Sequence, residues 1–209
     1  LDERGFVSQL ERLLLAVDDS TNGRFTAYLG GLIGGSSGMP TTVLRLEKDS
    51  EDEKTSKAEE QHLDALKKGA KASASAVEKA EQTTVDKVRL TARTASGEPG
   101  ESVAEEARKG YDLLLVGIGR SLTSKGAFTR RMNDITRGFT GPLCLVVKGG
   151  GKTDKVPVLE SGATILVPVN GTETARRAAD IALAIARPQH ARVEALYVSP
   201  RARDASARM

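Results

Sequence analysis

Two glycines carry the first chemical signal. The stretch from Asp112 to Lys148 reads DLLLVGIGRSLTSKGAFTRRMNDITRGFTGPLCLVVK. An unbroken apolar run, Leu113 to Val116, breaks at Gly117 and Gly119 into a polar loop with basic residues. A helical segment follows, and a second apolar run, Leu143 to Val147, closes the stretch. Strand, glycine turn, loop, helix, strand is the layout of a phosphate-binding βαβ unit. Glycines let backbone N–H groups approach oxyanions, and a helix N-terminus favours negative charge. Whether this stretch grips a phosphate is the functional question the sequence poses.

Other patterns carry less. GGGKT, Gly149 to Thr153, looks like the end of a P-loop. That motif needs a glycine where Val146 stands, and a helix where DKVPV follows. Asn170-Gly171-Thr172 has the form of a glycosylation sequon and reads as a turn. His62 and His190 stand far apart, without Cys or acidic ligand spacing, so no metal site is expected. No G-x-S-x-G, Cys/His or paired-carboxylate arrangement offers catalytic residues, and the chain is not read as an enzyme.

The elements that must position the glycine loop are those of an α/β sandwich. The chain has 209 residues, enough for one domain and something more. Aromatics are few and Trp is absent, so the core is aliphatic, which suits helices packed on a parallel sheet. Net charge is +3 with both signs interspersed, not the clustered basic surface that nucleic acid requires. The one cysteine, Cys144, lies in the last apolar run and reads as a small buried hydrophobe. No disulfide framework exists, so a reducing, cytoplasmic setting is expected. No apolar run approaches the roughly 20 residues that span a bilayer. The chain starts at Leu1 rather than Met and reads as a piece of something longer.

In order, residues 1–11 are a lead-in, and Arg12 to Asp18 (RLLLAVD) is a buried strand ending in acid. Asp19, Ser20 and Thr21 open a helix whose apolar face is Phe25, Leu29, Leu32 and Ile33. Thr41 to Leu46 is the second strand. A charged loop and a long exposed helix occupy Asp49 to Gln82, with Leu63, Leu66, Ala70 and Val77 as a sparse stripe. Lys87 to Thr94 is the third strand. A helix entered at Pro99 turns Val103, Ala104 and Ala107 inward and ends at Gly110. The strand from Asp112, a helix with Met132 and Ile135 inside, and the strand Leu143 to Lys148 complete the series. Five strands alternating with four helices predict a parallel sheet covered on both faces.

After a linker, 149–162, the pattern restarts. Ala163 to Val169 (ATILVPV) parallels RLLLAVD, and Asn170-Gly171-Thr172-Glu173 parallels Asp18-Asp19-Ser20-Thr21. A helix with Ala178, Ile181, Ala182 and Ile185 and a strand, Arg192 to Val198, follow. This internal repeat spans 163–199 and stops after β-α-β. Such a fragment cannot easily bury its own sheet, so it is predicted to dock on the first module, on another chain, or on further residues. Residues 200–209 form an Arg- and Ala-rich tail, predicted to be disordered.

Three segments, LLLAVDDS, SGEPGESVAEEA and YDLLLVGIGR, with the closing GPLCLVV, resemble the universal stress protein family over 12–148 and again over 163–198. The resemblance implies a five-stranded parallel sheet in the order 3-2-1-4-5. It also implies an adenine nucleotide (ATP or AMP) as ligand in many members, and homodimers formed through the fifth strand, here Leu143 to Val147. The paired modules and the lead-in GFVSQLERLLLAVDDS are also similar to the cytosolic C-terminal region of bacterial cation/proton antiporters. That similarity implies a covalently attached membrane transporter domain.

In a sheet of that order the switch point lies between the first and fourth strands, and ligands bind beyond their carboxyl ends. Asp18 then faces Gly117 and Gly119. Asp18 accepts hydrogen bonds either from a ribose or adenine amino group or from the following helix as a cap, and Asp19 and Ser20 read as caps or ligands. ATP-binding members carry G-x-x-G, nine residues, then G-[ST]. Gly117 matches the first glycine; Arg120 holds the second position, beside Gly119. The later pair falls on Arg130 and Arg131 or on Thr129 and Arg130, and neither placement holds a glycine. Thr129 offers a hydroxyl and Arg130 a charged fork to a phosphate. A retained adenine nucleotide, another anionic ligand and no ligand all remain open. The function expected is a cytosolic regulatory or sensor module. The alternatives are a structural dimerisation module without nucleotide and, on fold alone, a slow adenine-nucleotide hydrolase.

Overall fold

Strand β1, Leu13–Val17, is buried along its whole length and divides its side chains between two cores. Leu13, Leu15 and Val17 join one apolar cluster, and Leu14 and Ala16 join the other. This is the period-two alternation of a strand covered on both faces. Each fully buried leucine there contributes about 1.5–3 kcal/mol relative to exposure. β1 therefore sits at the centre of the molecule, and its carboxyl end positions the site.

In a computed structural model of the chain, residues 5–35, 37–46, 60–72, 90–95, 97–149 and 156–199 are described. β2 (Thr41–Arg45), β3 (Leu90–Thr94), β4 (Leu113–Gly117) and β5 (Leu143–Leu145) join β1 in a sheet ordered β3-β2-β1-β4-β5. All pairs are parallel, with Val17 opposite both Arg45 and Gly117. The order implied by the family resemblance is the one observed. The charged loop of 47–59, the rest of the long helix up to 82, residues 87–89 of the third strand and the 200–209 tail lie outside the described residues. So does most of the GGGKT stretch.

Helices cover both faces. α1 (Thr21–Gly35) and α2 (residues 60–72) pack on the Leu13/Leu15/Val17 face through Ala27, Ile33 and Leu66. α3 (Pro99–Ala107) and α4 (Arg130–Arg137) pack on the Leu14/Ala16 face through Val103, Met132 and Ile135. α1 and α2 meet backbone to backbone. A Cβ on Gly31 would stand 2.1 Å from the Leu66 carbonyl oxygen, and one on Gly69 would stand 2.1 Å from that of Tyr28. These glycines, costly in an isolated helix, are what allow the close crossing. No helix among the described residues is long and apolar enough to cross a membrane.

The second unit is β6 (Thr164–Val169), α5 (Glu173–Ala186) and β7 (Arg192–Tyr197), with β6 and β7 parallel. α5 docks on the first unit. Ile181 and Ile185 pack on its core, the Phe6 N–H donates to Asp180 Oδ2 at 2.7 Å, and the Arg177 guanidinium lies 5.2 Å over the Phe6 ring. The lead-in is part of this joint, since Phe6 and Leu10 are buried. Ala178, placed on the inner face by periodicity, is exposed. Among the described residues, nothing covers the sheet face away from α5. Leu166 and Leu196 are 59% and 51% exposed, whereas Leu14 and Leu44, their equivalents in the first unit, are 0% and 3% exposed.

Candidate functional site

The site is built at the carboxyl ends of β1 and β4. Parallel pairing of Val17 with Gly117 sets Asp18 and Ile118 side by side, and the Asp18 N–H donates to the Gly117 carbonyl at 3.3 Å. The Asp18 carboxylate is buried and engaged on both oxygens. Oδ1 accepts the Ser20 N–H at 3.2 Å and the Ser20 hydroxyl; Oδ2 accepts the Gly119 N–H at 2.8 Å. The glycine N–H suited to a phosphate is thus occupied by an internal carboxylate. In the second unit Asn170 Oδ1 accepts the Thr172 N–H and hydroxyl at 3.2 and 2.7 Å. The same local turn recurs there ahead of α5, as the entry turn of a helix.

Gly117 and Gly119 differ in what they do. A Cβ on Gly117 would stand 1.9 Å from Thr26 Oγ1 and 2.5 Å from the Asn22 carbonyl oxygen. Gly117 is therefore required by the close approach of α1. A Cβ on Gly119 would meet Ser20 Cβ at 3.3 Å, a contact its neighbours can nearly accommodate. Asn22 closes the rear of the crevice. Its Nδ2 donates to the Ile118 carbonyl and its Oδ1 accepts the Lys148 N–H, both at 2.8 Å.

The remaining expected ligands are dispersed. Asp19 pairs with Arg45 at the end of β2, with Nε 3.2 Å and Nη2 3.0 Å from its two oxygens. The Thr129 hydroxyl caps α4, accepting the Met132 N–H at 3.3 Å, and donates to the Arg120 carbonyl at 3.0 Å. Arg120 is exposed on the loop, where Leu122 and Phe128 form an antiparallel bridge. Arg130 points to solvent, 97% exposed, with Asp134 Oδ2 3.9 Å from its Nε. The structure brings together Asp18, Ser20, Gly117 and Gly119, and leaves Arg120 and Arg130 outside.

Arg131 enters the crevice instead. Its Nη2 donates to the Leu46 carbonyl beyond β2 at 3.1 Å, and its Nη1 lies 3.9 Å from Asp18 Oδ2. Its Nε is buried and meets no acceptor among the described residues. The signal was present in the spacing. Arg131 precedes Ile135 by four residues and shares its inward face, whereas Arg130 precedes Asp134. His62 is also part of the frame: buried on α2, it holds Nε2 3.0 Å from the Asp18 carbonyl oxygen, which requires the proton on Nε2. Among the described residues, no three His, Cys, Asp or Glu side chains converge to hold a metal ion.

Comparison with known proteins bears on the second unit first. The profile described as the Universal stress protein family matches residues 163–209. No curated protein matches the chain. Among solved structures, a putative universal stress protein from Pseudomonas aeruginosa UCBPP-PA14 is 18% identical with a TM-score of 0.49. The match covers 90% of this chain and 62% of that one. A universal stress protein from Archaeoglobus fulgidus DSM 4304 is 16% identical, with 92% and 69% covered and a TM-score of 0.46. A universal stress protein in complex with cAMP is 14% identical, with 66% and 97% covered and a TM-score of 0.48. At such identities nothing of a neighbour's ligand transfers to this chain.

Proposed function

We propose that the chain is a regulatory interaction module of universal stress protein type whose ligand crevice is closed by its own side chains. The observation that carries this reading is the 2.8 Å bond from the Gly119 N–H to Asp18 Oδ2, with Arg131 laid beside it. A nucleotide phosphate entering there would lose the glycine donor and meet a buried carboxylate, an unfavourable like-charge contact. The module then acts through polypeptide surfaces. Supporting this, β5 is an edge strand whose first residue, Leu143, is exposed, as is Val147 just beyond it, and the β6–β7 sheet carries a bare apolar face among the described residues. The fifth-strand edge is the proposed homodimer contact. A covalently attached cation/proton antiporter domain, on the cytosolic side, is the proposed target of regulation.

Isothermal titration of the purified chain with ATP, AMP and cAMP, alongside sedimentation of wild type and Leu143→Glu, tests this reading. No saturable heat with any nucleotide, and a dimer weakened by Leu143→Glu, are expected. Saturable nucleotide binding at micromolar concentrations contradicts it.

A further inference from the structure

We propose that Arg131 is the residue that decides ligand access to the crevice: a tethered cation seated across the ends of β1 and β2, whose removal lets a nucleotide in. The inference rests on the closed-crevice reading and assigns the closure to one side chain.

Three observations carry it. First, Arg131 reaches from α4 to the exits of both neighbouring strands, 3.1 Å from the Leu46 carbonyl oxygen and 3.9 Å from Asp18 Oδ2. A ligand reaching the Asp18 carboxylate beyond the end of β1 meets that side chain. Second, its charge is directed inward. Nη2 is engaged by a backbone carbonyl and Nη1 faces the Asp18 carboxylate, so the guanidinium compensates a protein anion rather than offering a fork to an incoming one. Third, its fit is incomplete. Nε is buried without an acceptor among the described residues, so the side chain is not held by a fully satisfied network. It fills space and charge at the mouth of a crevice whose other walls, Gly117, Gly119 and Asp18, keep a ligand-site layout.

The neighbouring basic residues do not share the role. Arg130 projects into solvent beside Asp134, and Arg120 is exposed on the loop. Arg45 is held by Asp19 on the far side of β1.

The test is equilibrium titration of ATP and AMP into wild type, Arg131→Ala and Arg131→Lys, with circular dichroism to establish folding. Wild type is expected to bind no tighter than about 1 mM. Arg131→Ala is expected to bind at least tenfold tighter. Arg131→Lys keeps the stem and charge, preserves the fold, and loses the reach to Leu46; it is expected to bind at least threefold tighter. If Arg131→Ala does not fold, the lysine variant decides by the same threshold. Folded variants that bind no tighter than wild type overturn the role of Arg131 and leave the closed-crevice reading standing. Wild type binding at micromolar concentrations, as tightly as Arg131→Ala, overturns both.

Discussion

Arg131 Nη1 lies 3.9 Å from Asp18 Oδ2, the same oxygen that accepts the Gly119 N–H at 2.8 Å. One carboxylate thus joins the glycine loop of β4 to a cation delivered from α4. The Asp18 carboxylate is compensated by the chain's own donors.

Gly117 serves packing and Gly119 does not. Gly117→Ala forces a Cβ against Thr26 and the Asn22 carbonyl, and is expected to cost about 1–3 kcal/mol through displaced backbone. Gly119→Ala, with its nearest contact at 3.3 Å, is expected to cost less than about 1 kcal/mol. Urea unfolding of the two variants checks this; equal losses would contradict it.

Asp18 is a structural acceptor. Asp18→Ala leaves the Gly119 N–H and the Ser20 donors without their partner, and is expected to destabilise by about 1–3 kcal/mol. Thermal melts with and without ATP decide its role. The same loss should appear in both, and a loss seen only with ATP present would make Asp18 a ligand instead.

The repeat is asymmetric in burial. Leu14→Ala should cost about 2–5 kcal/mol as a core truncation. Leu166→Ala, at the equivalent position but 59% exposed, should change stability by less than about 0.5 kcal/mol. A large loss at Leu166 would mean that the bare face is covered in solution.

Glu106 gives the fold an acid limit. Burial pushes its carboxyl up, but hydrogen bonds from Lys109 and Tyr111 and the nearby Arg93 outweigh burial and hold it below the ordinary 4.5. The folded value is depressed, so the stabilisation is fully present above the unfolded value and is lost as pH falls through the folded one. Stability measured downward from pH 5 should fall more steeply in wild type than in Glu106→Gln. Parallel profiles would contradict this.

The fold was legible because its signal is periodic. The run Leu13–Val17 and the stripe of Met132 and Ile135 each declare a buried face, and the strand order followed from the resemblance. The site was half legible. Asp18, Gly117 and Gly119 are marked by type and by their places at strand ends. Motif spacing counts residues and offers Arg130 as a phosphate fork. A helix instead turns 100° per residue, and only the step to Arg131 faces the crevice. Arg45, Asn22 and His62 carried no signal, because each acts through a contact at least 26 residues away in sequence. Gly31 and Gly69 each meet the backbone of a helix distant in sequence, so the crossing that requires them leaves no local pattern.

The most direct test of the closed crevice is the backbone amide resonance of Gly119 during a titration with ATP. The account predicts that this resonance stays in place in wild type and moves when Arg131 is replaced by Ala. A saturable shift of the Gly119 amide in wild type, with ATP as the only change, would contradict it.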